Sequence, residues 1–165
     1  MTKDEFRPIV KKLKIAYRRD DFFADNDMID LWYERLGKAE PEYLAKAVDN
    51  YIDKNSFQPT IADIIAEYKA IKDGISAVNA RLGEIYDRTR GVYPNIRLND
   101  SEEEKKAAEL DARNAWTALI MQKPFHERIA FAERVEQTTI KYVKMIEDNG
   151  RNDIPTLAEF FRGAR

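Results

Sequence analysis

A chain of 165 residues with no cysteine and a formal net charge of −2 can bury roughly 68–70% of its unfolded surface without a disulfide or metal staple, and it excludes disulfide frameworks and thiolate metal sites. Charged residues make up 35% of it, which gives a heavily solvated surface with no global attraction to phosphate. No apolar run approaches the ~20 residues that span a bilayer, and the opening Met1-Thr2-Lys3-Asp4-Glu5 carries acids where a secretory signal has an apolar core. The expected location is the cytoplasm, with no membrane contact.

Six glycines and six prolines leave room for long helices. The first helix opens at a capping box, Thr2 with Glu5, and Phe6, Val10, Leu13 and Tyr17 recur at helical spacing. Pro8 removes one hydrogen bond near its first turn. A second helix runs from about Asp27 to Leu36, capped by Asp25 or Asn26 and stopped by Gly37, with Met28, Leu31, Trp32 and Leu36 on its apolar face. The third begins at Pro41 and presents Leu44, Ala47, Val48, Tyr51 and Ile52, until Phe57-Gln58-Pro59 ends it.

The fourth helix starts at a second capping box, Thr60 with Asp63. Its Ile64, Tyr68, Ile71, Ile75, Val78, Leu82 and Ile85 follow a 4-3-4-3-4-3 spacing, an a/d seam about three heptads long. That seam is either the core line of an intramolecular bundle or a self-association coiled coil. Gly91 to Asn95 predicts a loop. The fifth helix restarts at Asn99–Ser101 with Glu104 as capping partner and carries Ala108, Ala112, Ala115, Trp116 and Leu119. Pro124 opens the sixth, with Ile129, Ala132, Val135, Thr139, Tyr142, Val143 and Ile146, before Gly150. A last short segment, Ile154 to Phe161, is capped by Thr156 and Glu159. The expected fold is all-α in three parts: an N-terminal four-helix domain over 1–72, a long-helix and antiparallel bundle region over 73–150, and a C-terminal interaction tail over 151–165.

Chemistry finds little to work with. One histidine, His126, and no cysteine cannot make a usual zinc site; the histidine reads as a first-turn surface residue. No phosphate-binding glycine loop, no G-x-S-x-G and no H-E-x-x-H occurs. The acids Asp20, Asp21, Asp25 and Asp27 read as loop and cap residues in place of a two-metal site, and Glu102-Glu103-Glu104 complements a helix N-terminus. No catalytic residue, metal or cofactor is expected.

Two binding features stand out. Residues 1–19 hold seven bases against two acids, and Arg7, Lys11, Lys14 and Arg18 share one stripe of the first helix. Such a stripe is either a phosphate-facing surface or a solvated face neutralised by residues 20–50, which hold three bases against nine acids. The tail gathers Leu157, Phe160 and Phe161 on one face of a segment of barely two turns, too short to be stable alone. Its anchors dock either on the chain's own core or in a partner's groove.

The ordered set Thr2-Lys3-Asp4-Glu5-Phe6, Leu31-Trp32-Tyr33, Ala47-Val48, Tyr51-Ile52 and Asn55-Ser56-Phe57-Gln58-Pro59-Thr60-Ile61-Ala62-Asp63-Ile64 resembles the N-terminal domain of phage-encoded replicative helicase loader/inhibitor proteins from phages of Gram-positive bacteria. The resemblance covers about residues 1–70; no family motif is matched over 75–150. It implies a helical adaptor without ATPase activity in the host bacterial cell. Such an adaptor binds a hexameric DnaB-type helicase, holds it inactive, contacts an origin-bound initiator and loads the helicase at the origin. It also implies a helicase contact in the C-terminal region; the tail agrees by a separate route, from its own apolar pattern, with Ile154, Leu157, Phe160, Phe161 and Arg162 as the candidate contact residues. Direct nucleic-acid binding is not expected under this reading. Two other functions fit the same residues: a DNA-binding replication protein using Arg7, Lys11, Lys14 and Arg18, and a helical inhibitor of another host enzyme.

Overall fold

The computed structural model describes residues 1–18, 22–92, 101–149 and 155–164. Among these residues it holds seven α-helices, one 3-10 turn and no strand: α1 (Lys3–Ala16), α2 (Asn26–Leu36), α3 (Pro41–Lys54), α4 (Ile61–Val92), α5 (Glu102–Met121), the 3-10 turn (Phe125–Glu127), α6 (Arg128–Asn149) and α7 (Leu157–Gly163). The all-α expectation is met. The helices divide into two compact units, Met1–Ser76 and Ala77–Arg165, with the division inside α4.

The N-terminal unit is built from caps inward. Thr2 caps α1 by accepting from the Glu5 amide while the Glu5 carboxylate accepts from the Thr2 amide, and α1 runs unbroken through Pro8. Asp25 caps α2 by accepting from the Met28 amide. Gly37 ends α2 with its N–H donating to the Tyr33 carbonyl at 2.7 Å. A Cβ at Gly37 would stand 2.5 Å from that oxygen, so a side chain there forces the turn open.

The core of this unit joins Phe6, Ile9, Val10 and Leu13 of α1, Trp32 and Leu36 of α2, Leu44 and Val48 of α3 and Ile64 of α4. The connection from α1 to α2 adds an aromatic cluster that the helical periodicity misses. Phe23 is fully buried, with its ring 4.4 Å from Phe22 and 5.0 Å from Trp32, and Tyr17 meets Phe22 edge-on at 6.4 Å. Phe23 has φ of 56°, a left-handed backbone that costs an L-residue roughly 1–2 kcal/mol; its amide donates to Met28 Sδ at 3.2 Å. Leu31, expected on the apolar face of α2, is instead 47% exposed, because only Trp32 and Leu36 of that helix reach full burial.

In the C-terminal unit, Leu82, Ile85 and Tyr86 of α4 pack with Trp116, Leu119 and Ile120 of α5, Ala132 and Val135 of α6 and Phe161 of α7. The buried Thr89 and Thr139 hydroxyls donate one turn back, to the Ile85 and Val135 carbonyls, which satisfies them inside an apolar core. Arg88 of α4 forks onto Glu136 of α6 at 2.7 and 3.0 Å. Pro124 opens the 3-10 turn, and α6 begins only at Arg128, later than expected.

The seam of α4 therefore serves two cores. Ile64 and Tyr68 belong to the first, Val78, Leu82 and Ile85 to the second, and Ile71 and Ile75 between them are half-buried. Intramolecular packing takes up the two ends of the seam, while Ile71 and Ile75 belong to neither core cluster.

Four capping boxes punctuate the described residues, at Thr2/Glu5, Thr60/Asp63, Ser101/Glu104 and Thr156/Glu159. In the first three, hydrogen bonds from the cap residue's amide and then its hydroxyl hold the Glu5, Asp63 and Glu104 carboxyls below their ordinary values. Because the folded-state values are depressed, this stabilisation is present above the unfolded carboxylate value and disappears as pH falls through the folded one. Thermal midpoints followed by circular dichroism should decline as pH drops below about 4. A Thr2→Ala/Thr60→Ala/Ser101→Ala variant should decline less steeply from a lower start.

Candidate functional site

Two surfaces carry the residues singled out by sequence. The first is the tail. Thr156 caps α7 by accepting from the Glu159 amide, and the Glu159 carboxylate accepts from the Thr156 amide at 2.7 Å. Thus anchored, α7 packs against α5. Phe161 is 1% exposed within the C-terminal core and Ala158 is buried beside it. Leu157 and Phe160 are half-buried at the edge of that core, and the Phe160 ring lies 5.2 Å from Tyr142 and 5.6 Å from Phe161. Arg162 is exposed and donates to both oxygens of Asp111 in α5, at 2.6 and 2.7 Å. Ile154, the remaining expected anchor, lies outside the described residues. Of the two docking options for these anchors, Phe161 takes the chain's own core, while Leu157, Phe160 and Arg162 keep surface available.

The second surface is the basic stripe of α1. Lys3 pairs with Asp30 of α2 at 2.7 Å, Lys12 with Asp49 of α3 at 2.6 Å, and Arg7 with its neighbour Asp4 at 2.8 Å. The acidic helices therefore neutralise Lys3 and Lys12 beside the stripe and not the stripe itself: Arg7 pairs within α1, and Lys11, Lys14 and Arg18 form no ion pair among the described residues. Lys3, Arg7, Lys11 and Lys14 line a groove of about 530 Å³ between α1 and α2, together with Phe6, Val10, Ile15, Ile29 and Tyr33. Arg18, expected on the same helical stripe, lies beyond the end of α1 at Ala16 and outside that groove. Sequence periodicity could not show the groove, because Ile15 lies off the apolar stripe of α1 and Ile29 and Tyr33 come from another helix.

Among the described residues, no group of three or more His, Asp or Glu side chains could hold a metal ion; Asp20 and Asp21 lie outside them. His126 is 80% exposed, 3.5 Å from Glu127. No helix among the described residues is long and apolar enough to cross a membrane.

These features define an all-helical protein whose N-terminal unit is a capped four-helix module, assembled around an aromatic cluster and carrying a basic groove. Residues 1–65 match the family model for the N-terminal domain of the gene 39 protein, the helicase loader/inhibitor of phage SPP1. The match covers α1 to α3 and the start of α4 and coincides with the stretch that carries the resemblance. No curated protein and no solved structure matches the chain.

Proposed function

We propose that this protein is a replicative helicase loader and inhibitor: it binds a hexameric DnaB-type helicase, restrains its ATPase and, through contact with an origin-bound initiator, loads it at the origin. The observation that carries this reading is the match of residues 1–65 to the N-terminal domain of the SPP1 loader/inhibitor family. The absence of a phosphate-binding loop from the sequence fits an adaptor that acts through binding energy alone, shifting the helicase between states by preferring one of them.

The helicase contact is placed on the tail, at Ile154, Leu157, Phe160, Phe161 and Arg162. What supports it is a short helix whose outer edge carries half-buried Leu157 and Phe160 and the exposed Arg162 guanidinium, held by Asp111; aromatic side chains and arginine are enriched at protein interfaces. Phe161 contributes by fixing α7 in place from inside the core.

The test is capture of helicase from phage-infected lysate by the intact chain and by a Phe160→Ser/Arg162→Glu variant, with fold checked by circular dichroism. The intact chain should recover a hexameric helicase and lower its ATPase rate; the variant should keep its helicity and lose about 2 kcal/mol of binding, the level of an interface hot spot. Equal recovery by both would move the contact off the tail. Failure of the intact chain to recover any helicase would overturn the function.

A further inference from the structure

We propose that the groove between α1 and α2 is a docking site for an acidic amphipathic helix of a partner protein. The inference does not rest on the helicase reading; it follows from what lines the groove.

The floor is apolar and open. Its accessible apolar surface is Ile15, 60% exposed, with half-buried Ile29 and Tyr33, over Phe6 and Val10, which are buried at 2% and 6% exposure. A volume of about 530 Å³ accommodates several branched or aromatic side chains. The rim is cationic: four bases from α1 face a single carboxylate, Asp30 of α2, on a chain whose formal net charge is −2. Lys3 and Arg7 are held by Asp30 and Asp4, whereas Lys11 and Lys14 have no ion pair among the described residues. These two ammonium groups, unpaired among the described residues, belong to the same stretch of α1 as Ile15, the most exposed apolar side chain of the groove.

Charge complementarity and geometry together name the occupant. The cations at positions 3, 7, 11 and 14 span about 16 Å along α1 at 1.5 Å per residue, the length of roughly three helical turns. A helix that repeats apolar anchors at i, i+3 or i+4 and i+7 would fill the floor, and carboxylates flanking those anchors would meet the rim. A nucleic acid is the poorer fit. It would satisfy the ammonium groups by releasing counterions, but the aliphatic floor of Val10, Ile15 and Ile29 gives nothing to a phosphate backbone. Nor is Tyr33 free to act as a stacking platform, since the Lys3 ammonium lies over its ring, 5.6 Å from the centroid, and the Phe6 ring packs 5.7 Å from it.

The test is selection of displayed random peptides of about 16 residues on the intact chain, followed by titration of the enriched sequences into isotope-labelled protein. Acidic sequences with apolar anchors at helical spacing are expected. Their amide shifts should gather at Lys11, Lys14, Ile15, Ile29 and Tyr33. Affinity should fall about tenfold or more in Lys11→Glu/Lys14→Glu and in Ile15→Asp; all three side chains are exposed, so the fold should be kept, with only a small drop in thermal midpoint from acids placed in the last turn of α1. Enriched peptides without acids, or affinity indifferent to Ile15→Asp, would overturn the proposal. Duplex or single-stranded oligonucleotides that bind with the same shift pattern, sensitive to the lysines but not to Ile15, would assign the groove to nucleic acid. Concentration-dependent dimerisation abolished by Ile15→Asp would assign it to a second copy of the chain. Because no helicase is present in this experiment, its outcome is separate from that of the loader function.

Discussion

Replacing Phe161 with alanine is expected to destabilise the C-terminal unit by about 3–5 kcal/mol, the range for deleting a buried aromatic ring and leaving a cavity. The ring is 1% exposed and belongs to the cluster of Trp116, Leu119, Ile120 and Ala132. Against a typical total stability of roughly 5–15 kcal/mol, that loss removes a large share of the unit's margin. Each unit has one buried tryptophan, Trp32 in the first and Trp116 in the second. Urea unfolding followed by Trp116 emission in a Trp32→Phe background therefore reads the effect directly. A midpoint unchanged by Phe161→Ala would mean that α7 does not rest on α5 in solution. The same burial alters how the tail is to be dissected. On sequence grounds, removing residues 151–165 should leave the helical body intact. With Phe161 inside the core, such a truncation strips a side chain from the centre of the unit, and lost binding would then report lost structure. Substitutions at Phe160 and Arg162 keep Phe161 in the core, but they also remove a ring contact with Tyr142 and the ion pair with Asp111, so the Trp116 unfolding midpoint has to be read beside their binding.

Trp32→Ala should be the most damaging single change in the N-terminal unit, again by about 3–5 kcal/mol. The indole is 5% exposed and is met by Phe22 at 5.9 Å and Phe23 at 5.0 Å, edge-on geometries that add to the burial itself. Trp32→Phe retains most of the apolar volume and should cost markedly less. Far-UV circular dichroism in urea would rank the two. If alanine were tolerated as well as phenylalanine, the aromatic cluster would not be what closes the connection between α1 and α2.

Local rules made much of this fold legible. Capping boxes placed the starts of α1, α4, α5 and α7 because each is a short-range hydrogen-bond exchange fully encoded by residues three apart. What escaped was non-local. Phe22 and Phe23 belong to a connection with no period to betray them, and their burial depends on Trp32 arriving from α2. The α4 seam was correctly periodic, but periodicity cannot tell one core from two in succession. Leu31 obeyed the helical spacing and still faces solvent, since an apolar stripe only buries where a neighbouring helix covers it. At the candidate sites the same division holds. The cations of α1 and the aromatics of the tail could be read along one helix. The floor of the α1–α2 groove and the burial of Phe161 depend on packing between helices distant in sequence.

Phe23 makes a demand on handedness that no simple replacement meets. Its φ of 56° is the region glycine enters freely, yet glycine there would relieve the backbone and leave a hole where a fully buried ring now sits. A mirror-image phenylalanine would also welcome that backbone, but its side chain would leave the α-carbon on the opposite side, away from Trp32. Only an L-residue held in an uncomfortable twist aims an aromatic ring into this corner. The strain at position 23 is thus the condition for the ring's direction, and the connection between α1 and α2 is written in stereochemistry as much as in hydrophobicity.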